Sequence, residues 1–128
     1  MKYLGIDFGS KRVGVAISDE NNSFALPKAV LQNDSSLLEE IKKICAENSI
    51  TGIVLGESKD FKGIDNPIME KINSFKTEIE KTINLPVYLE PEFMTSSEAE
   101  RLQGKNAMLD ASAAALILKS YLDKKNNQ

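Results

Sequence analysis

Histidine is absent from the 128 residues, and cysteine occurs once. Without imidazole there is no Ser-His-Asp triad, no His-ligated zinc and no histidine acid/base catalysis. Any catalytic chemistry must therefore rest on carboxylates, lysine or hydroxyls. The lone thiol, Cys45, forbids an internal disulfide and a multi-thiolate metal site, and fits a reducing compartment. It falls on the apolar stripe of a predicted helix and reads as a packing residue. No run of about 18 apolar residues occurs, and only six residues precede Asp7, too few for a signal-peptide stretch. The expectation is a cytoplasmic protein with no membrane part. Net positive charge is also missing: 16 Lys and Arg against 19 Asp and Glu give −3. A polyanionic partner would have to be attracted by a local basic patch or by bound cations. With 41% hydrophobic and 27% charged residues the chain can build one real core. A single domain over 1–123 is expected, followed by a frayed tail at 124–128.

Lys2 to Phe8 and Arg12 to Ser18 are β-rich runs separated by Gly9, Ser10 and Lys11, which reads as a tight antiparallel hairpin. In the second run Val13, Val15 and Ile17 alternate with Gly14, Ala16 and Ser18, so one face is bulky and the other small enough for a closely packed helix. Phe24 to Leu31 supplies a third strand, which Pro27 places at an edge. The period then becomes helical: Leu37, Leu38, Ile41, Ile44 and Cys45 predict a helix over Ser36–Glu47, with Ser36 and Glu39 as a capping box. Ile50 to Gly56 predicts a strand and Glu57 to Asn66 a polar loop. Pro67 opens a second helix with Ile68, Ile72, Phe75 and Ile79 along one stripe. Pro86 to Glu90 predicts a fifth strand, and Thr95 with Glu98 caps a short helix to Leu102. Met108 to Leu122 is a final amphipathic helix. Three antiparallel strands followed by alternating helix and strand predict an α/β domain: a mixed sheet, with helices on both faces.

Carboxylates fall where a core belongs. Asp7 interrupts Leu4, Ile6 and Phe8, where an unpaired charge is costly. Asp110 shares a helix face with Ala113, Ala114 and Ile117 by i, i+3, i+4 and i+7 spacing. Glu92 follows the fifth strand and Glu57 the fourth, at the strand ends where open parallel sheets place ligands. Each has an ordinary reading: a hydrogen-bonded strand-end Asp, a first-turn Asp on the helix dipole, or solvated loop glutamates. Taken together they are better explained as a cation site, because two carboxylates about 4 Å apart repel by roughly 4 kcal/mol at an effective dielectric of 20. An all-oxygen site favours Mg²⁺ or Mn²⁺, and two such ions could serve a phosphodiester displacement.

The stretch Gly5-Ile6-Asp7-Phe8-Gly9-Ser10-Lys11-Arg12-Val13-Gly14-Val15-Ala16-Ile17-Ser18-Asp19 closely resembles the opening of the YqgF (RuvX) family of ribonuclease H-like proteins. Leu85-Pro86-Val87, Thr95-Ser96-Ser97-Glu98-Ala99-Glu100 and Asp110-Ala111-Ser112-Ala113-Ala114-Ala115-Leu116-Ile117-Leu118 resemble its later blocks, in order. The resemblance implies a ribonuclease H-like five-stranded sheet of order 3-2-1-4-5. It also implies a metal-dependent nuclease that matures the 5′ end of precursor 16S rRNA or acts on Holliday junctions. Asp7, Glu92 and Asp110 map to its catalytic, metal-binding carboxylates, and Lys11 and Arg12 to a Lys-Arg pair suited to holding a phosphate. The family's Asp-Glu-Arg triplet reads here as Pro91-Glu92-Phe93, so only the glutamate is kept. Glu57 stands where the family has Gly-Leu-Pro after strand four, a further candidate ligand in place of Glu92. Lys59, Lys62, Arg101 and Lys105 are candidates for a basic rim.

The implied partners are structured RNA such as precursor rRNA, or branched DNA, with the chain a monomer or homodimer. Two other classes compete. An Asp-x-Gly hairpin also opens actin-like and sugar-kinase ATPases, but those need a second lobe and a repeat of the motif. A noncatalytic nucleic-acid-binding or protein-interaction module would account for the altered triplet, the acidic charge and the lack of aromatic base-stacking platforms. Clustered negative charge beside phosphates gives such a module little.

Overall fold

The computed structural model describes residues 2–9, 11–59, 69–93 and 107–126, with side chains described at all of these except 58–59, 92–93 and 107–110. Alternation of bulky and small residues sets the first elements. β1 (Tyr3–Phe8), β2 (Arg12–Ser18) and β3 (Ala25–Gln32) form an antiparallel meander, with Leu4 opposite Ile17 and Phe8 opposite Val13. α1 (Leu37–Glu47) leads to β4 (Gly52–Lys59), which lies parallel to β1. α2 (Met69–Thr82) leads to β5 (Val87–Phe93), parallel to β4, and α3 (Ala107–Asn126) closes the described chain. The sheet order is β3-β2-β1-β4-β5, the order implied by the family resemblance.

The strand pleat divides the core in two. Leu4, Ile6, Val13, Val15, Ile53, Leu55 and Val87 point to one side, where Leu37, Ile41, Ile44 and Cys45 of α1 and Met69, Ile72, Phe75 and Ile79 of α2 cover them. Each fully buried aliphatic side chain there contributes roughly 1.5–3 kcal/mol of transfer free energy. On the other side Tyr3, Ala16 and Val54 meet Ala114, Ile117, Leu118 and Leu122 of α3. The small face of β2 thus receives a helix, as its Gly14-x-Ala16 pattern predicts. The tightest approach is elsewhere, at Gly5: a Cβ there would stand 2.7 Å from the Leu118 Cβ and 2.9 Å from the Ala114 carbonyl oxygen.

Several local expectations are corrected. Ser36 makes no side-chain cap bond and is already helical in its backbone, so the Ser36–Glu39 capping box does not form. Instead the Asp34 carboxylate accepts from both the Ser36 N–H (3.0 Å) and its hydroxyl (2.7 Å), which holds the Asp34 pKa below its ordinary value. Glu57 belongs to β4, and Glu92 to β5, rather than to the loops after them. α3 continues to Asn126 instead of fraying from Lys124, since Lys124 pairs with Glu90 and the Asn126 amide donates to the Asn22 carbonyl at 3.0 Å. The start of the second predicted helix at Pro67 and the short helix from Thr95 to Leu102 lie outside the described residues. No described helix is long and apolar enough to cross a membrane.

Candidate nuclease site

Asp7 is 8% exposed, at the carboxyl end of β1 and opposite Gly14 of β2. Alternation puts it on the α3 side of the sheet, two residues beyond Gly5 and four beyond Tyr3. α3 runs antiparallel to β1. Tyr3 packs against Tyr121, and the Lys125 ammonium lies 5.9 Å from its ring centre, while Gly5 faces Ala114 and Leu118. Two further residues of strand rise about 6.7 Å, and four to five residues of helix cover the same distance. The level of Asp7 therefore meets α3 within the turn that runs from position 110 to Ala114. The face of α3 that carries position 110 is the buried one, with Ala113, Ala114 and Ile117 all under 6% exposed.

Register locates the glutamates. Ile6 pairs with Leu55 and Leu55 with Leu89, so position 7 lies level with Gly56 and Glu90, and Glu92 pairs with Ser58 one step nearer the strand ends. Positions 88, 90 and 92 share the α3 side of β5, since Tyr88 stacks on Tyr121 and Glu90 bonds to α3. Glu57 alternates with Ile53 and Leu55, which belong to the core under α1 and α2. The strand pleat thus puts positions 92 and 7 on one side of the sheet and Glu57 on the other.

Glu90 escaped the sequence reading. It is 3% exposed, and one carboxylate oxygen accepts from the Ser120 hydroxyl (2.8 Å) and the Lys124 ammonium (2.7 Å). This pair is formed across 34 residues, so no local spacing signals it. Its partners make Glu90 a tie between β5 and the end of α3 rather than an open ligand. Among the described residues, no three carboxylates or thiols cluster closely enough to hold a metal ion. Of the expected carboxylate set, Glu92 and Asp110 are placed by backbone only.

Lys11 and Arg12, the residues expected to hold a phosphate, stand where the chain enters β2. Gly9 is required in the hairpin loop between β1 and β2, because a Cβ would meet the Arg12 carbonyl oxygen at 2.5 Å. The Asn33 side-chain amide donates to the Gly9 carbonyl (2.7 Å), and its backbone N–H to the Lys11 carbonyl (3.0 Å), so the residue after β3 braces the loop. Lys11 is exposed and Arg12 half-buried. Lys62, Arg101 and Lys105 of the candidate basic rim lie outside the described residues, and Lys59 is placed only as the end of β4.

Known proteins complete the picture. The family model described as "RuvX: Holliday junction resolvase" matches residues 1–124. The chain belongs to the RuvX family. Among RuvX relatives, a protein of Nitratidesulfovibrio vulgaris is 35% identical over 96% of this chain and 94% of its own length. One from Pelagibacter ubique is 33% identical over 99% and 91%. Both are named "Putative pre-16S rRNA nuclease". In three dimensions the chain is similar to RuvC of T. thermophilus in complex with a Holliday junction substrate, with a TM-score of 0.62, 16% identity and coverage of 98% and 96%. The Holliday junction resolvase of fowlpox virus gives 0.55, 17% identity and coverage of 97% and 99%. At these identities the likeness shows a shared fold.

Proposed function

We propose that this chain is a divalent-metal-dependent nuclease that hydrolyses phosphodiester bonds in structured RNA, in maturation of the 5′ end of precursor 16S rRNA. The carrying observation is Asp7: a buried carboxylate at a strand end, level with the turn of α3 that begins at position 110 and on the same side of the sheet as position 92. Two strand spacings and two residues of rise separate positions 7 and 92 by about 12 Å of backbone. An Asp and a Glu side chain can span that distance around a pair of ions. The donors are all carboxylate oxygens, in a chain without histidine, and such a set suits Mg²⁺ or Mn²⁺.

Asp7, Glu92 and Asp110 would hold the ions, with Glu57 set aside by its side of the sheet. When bound, the metal supplies Lewis acidity toward the attacking and leaving oxygens of an in-line displacement. Lys11 and Arg12, on a hairpin braced by Asn33, orient a substrate phosphate beside Asp7, Arg12 by its planar fork and Lys11 as a point charge. Phe93 stands where the family has arginine, so this chain must rely more on the hairpin for phosphate contacts.

The test is incubation of purified protein with labelled precursor rRNA, four-way junction DNA and linear duplexes, in Mg²⁺, Mn²⁺ or EDTA. Metal-dependent cleavage of the RNA that is abolished by Asp7→Asn and by Asp110→Asn is expected. Preferential cutting of the junction would favour the resolvase reading, to which the family description and the RuvC fold both point. Undiminished cleavage by Asp110→Asn would refute the mechanism.

A further inference from the structure

All three tyrosines of the chain, Tyr3, Tyr88 and Tyr121, converge on the α3 side of the sheet, although they are far apart in sequence. The Tyr88 and Tyr121 rings are stacked, with centroids 5.5 Å apart and planes inclined by 26°. Tyr3 is buried and meets both rings edge-on, at 6.4 and 5.6 Å. Gly52 seats the group: a Cβ there would stand 2.9 Å from Tyr3 Cε1 and 3.4 Å from Tyr88 Cε2. Tyr88 lies on the edge strand β5 and is 39% exposed, one of four large apolar or aromatic side chains left open among the described residues. A core residue would have no reason to stop at the surface on a preformed stack.

Lysines flank this stack. Lys124 and Lys125 follow Tyr121 by one helical turn. Lys124 is paired with Glu90, while the Lys125 ammonium lies 5.9 Å from the Tyr3 ring centre. The two cations outnumber the one carboxylate, in a chain whose total charge is negative. An open aromatic face rimmed by cations is the combination that binds single-stranded nucleic acid: bases stack on the ring, and ammonium groups follow the phosphates.

We infer that Tyr88, backed by Tyr121 and flanked by Lys124 and Lys125, is a stacking platform for an unpaired RNA base next to the cleavage site. The inference rests on the nucleic-acid-processing reading above and adds the part of the substrate that this face grips. Tyr88 is level with Gly5, two residues short of position 7 and two strands away, about 12 Å along the same side of the sheet. That corresponds to roughly two to four nucleotides of single strand. The required substrate is therefore a cleavage site with an unpaired flank, and a fully paired duplex would leave the platform empty.

Tryptophan is absent and every tyrosine is in this cluster, so intrinsic tyrosine emission reports on the platform alone. The experiment titrates the full-length chain with a single-stranded RNA octamer in EDTA, where metal-dependent cleavage cannot occur. It is repeated with an abasic octamer of the same charge and with Tyr88→Phe and Tyr88→Leu. Leucine keeps apolar packing and removes the π-face, and circular dichroism checks that each variant is folded. Emission should be quenched by the base-bearing strand and not by the abasic one. Tyr88→Leu should bind roughly 5- to 100-fold more weakly, with Tyr88→Phe within about twofold of wild type. Equal binding by Tyr88→Leu, equal binding of the abasic strand, or a Tyr88→Phe as weak as Tyr88→Leu would overturn the platform. Absence of metal-dependent cleavage alongside intact quenching would overturn the nuclease reading and leave the platform standing.

Discussion

Replacing Gly5 by alanine tests the contact that sets α3 against the sheet. The added Cβ would lie 2.7 Å from the Leu118 Cβ and 2.9 Å from the Ala114 carbonyl oxygen. Comfortable separation of carbon atoms is about 3.5–4.0 Å, so the Cβ–Cβ contact is short by about 1 Å and the contact to the carbonyl oxygen by a smaller amount. Neither neighbour can rotate away, because one is backbone and the other is fixed to it. The helix must retreat as a unit, and Ala111, Ala113, Ala114, Ile117, Leu118 and Leu122 retreat with it from the sheet. A gap of 0.5–1 Å forfeits about a quarter to a half of the dispersion well at each affected contact. Overpacking typically costs about 1–3 kcal/mol, and the rigidity of both neighbours puts this case near the upper end, at about 3 kcal/mol. For a chain of this size that lowers Tm by about 10 °C. Urea unfolding followed by circular dichroism should show a lower midpoint at unchanged m-value. Gly52→Ala, which meets ring carbons able to pivot, should lose less. A Gly5→Ala variant within about 0.5 kcal/mol of wild type would refute the close docking of α3, and with it the level assigned to position 110.

Three further outcomes are expected. Lys124→Ala should cost about 2 kcal/mol in urea unfolding, because it leaves the buried Glu90 carboxylate with only Ser120, whereas Lys119→Ala, from an exposed i,i+4 pair, should cost about 0.5 kcal/mol or less. Mg²⁺ or Mn²⁺ should raise Tm progressively with concentration, by about 2.7 kcal/mol of stability at a hundredfold excess over Kd, and Asp7→Asn should remove more than half of that shift in a thermal scan. Burial pushes the Cys45 thiol up to about 11, so it should resist disulfide reagents at pH 8 in the folded protein. The folded state then keeps its proton after the unfolded chain has released one. The Cys45 contribution is therefore constant below pH 9 and falls by about 2–3 kcal/mol as pH rises toward 11, a decline that Cys45→Ala should lack.

Patterns of period two and 3.6 made the hairpin, both core-facing helix stripes and the small face of β2 legible, since each depends on neighbours within a few residues. The strand order followed from the family resemblance and not from the pattern. Polar side chains hid the ends of β4 and β5: Glu57 and Glu92 read as loop residues because nothing local says that the ladder continues beneath them. Ser36 failed as a cap because Asp34 offers a charged acceptor two residues earlier. Asp7 was legible as a charge among apolar residues. Glu90 was not, because its partners Ser120 and Lys124 lie 30 and 34 residues away and only the fold brings them near. The tyrosine cluster was missed for the same reason, its members being spread over three elements.

The tie between Asn126 and Asn22, with Lys125 beside Tyr3, brings the last turn of α3 next to the first residues of β1. Residues 2 and 126 could be joined by a short Gly-Ser linker and the chain reopened at the exposed turn around Asn84, whose backbone is already left-handed at φ 63°. In such a rearranged chain β5 and α3 would be made before the meander they pack against. The sheet would then form from its other edge, with every contact of the folded state preserved. Comparing its refolding rate with that of the natural order would measure how far strand pairing within the β1–β3 meander controls the speed at which this architecture assembles.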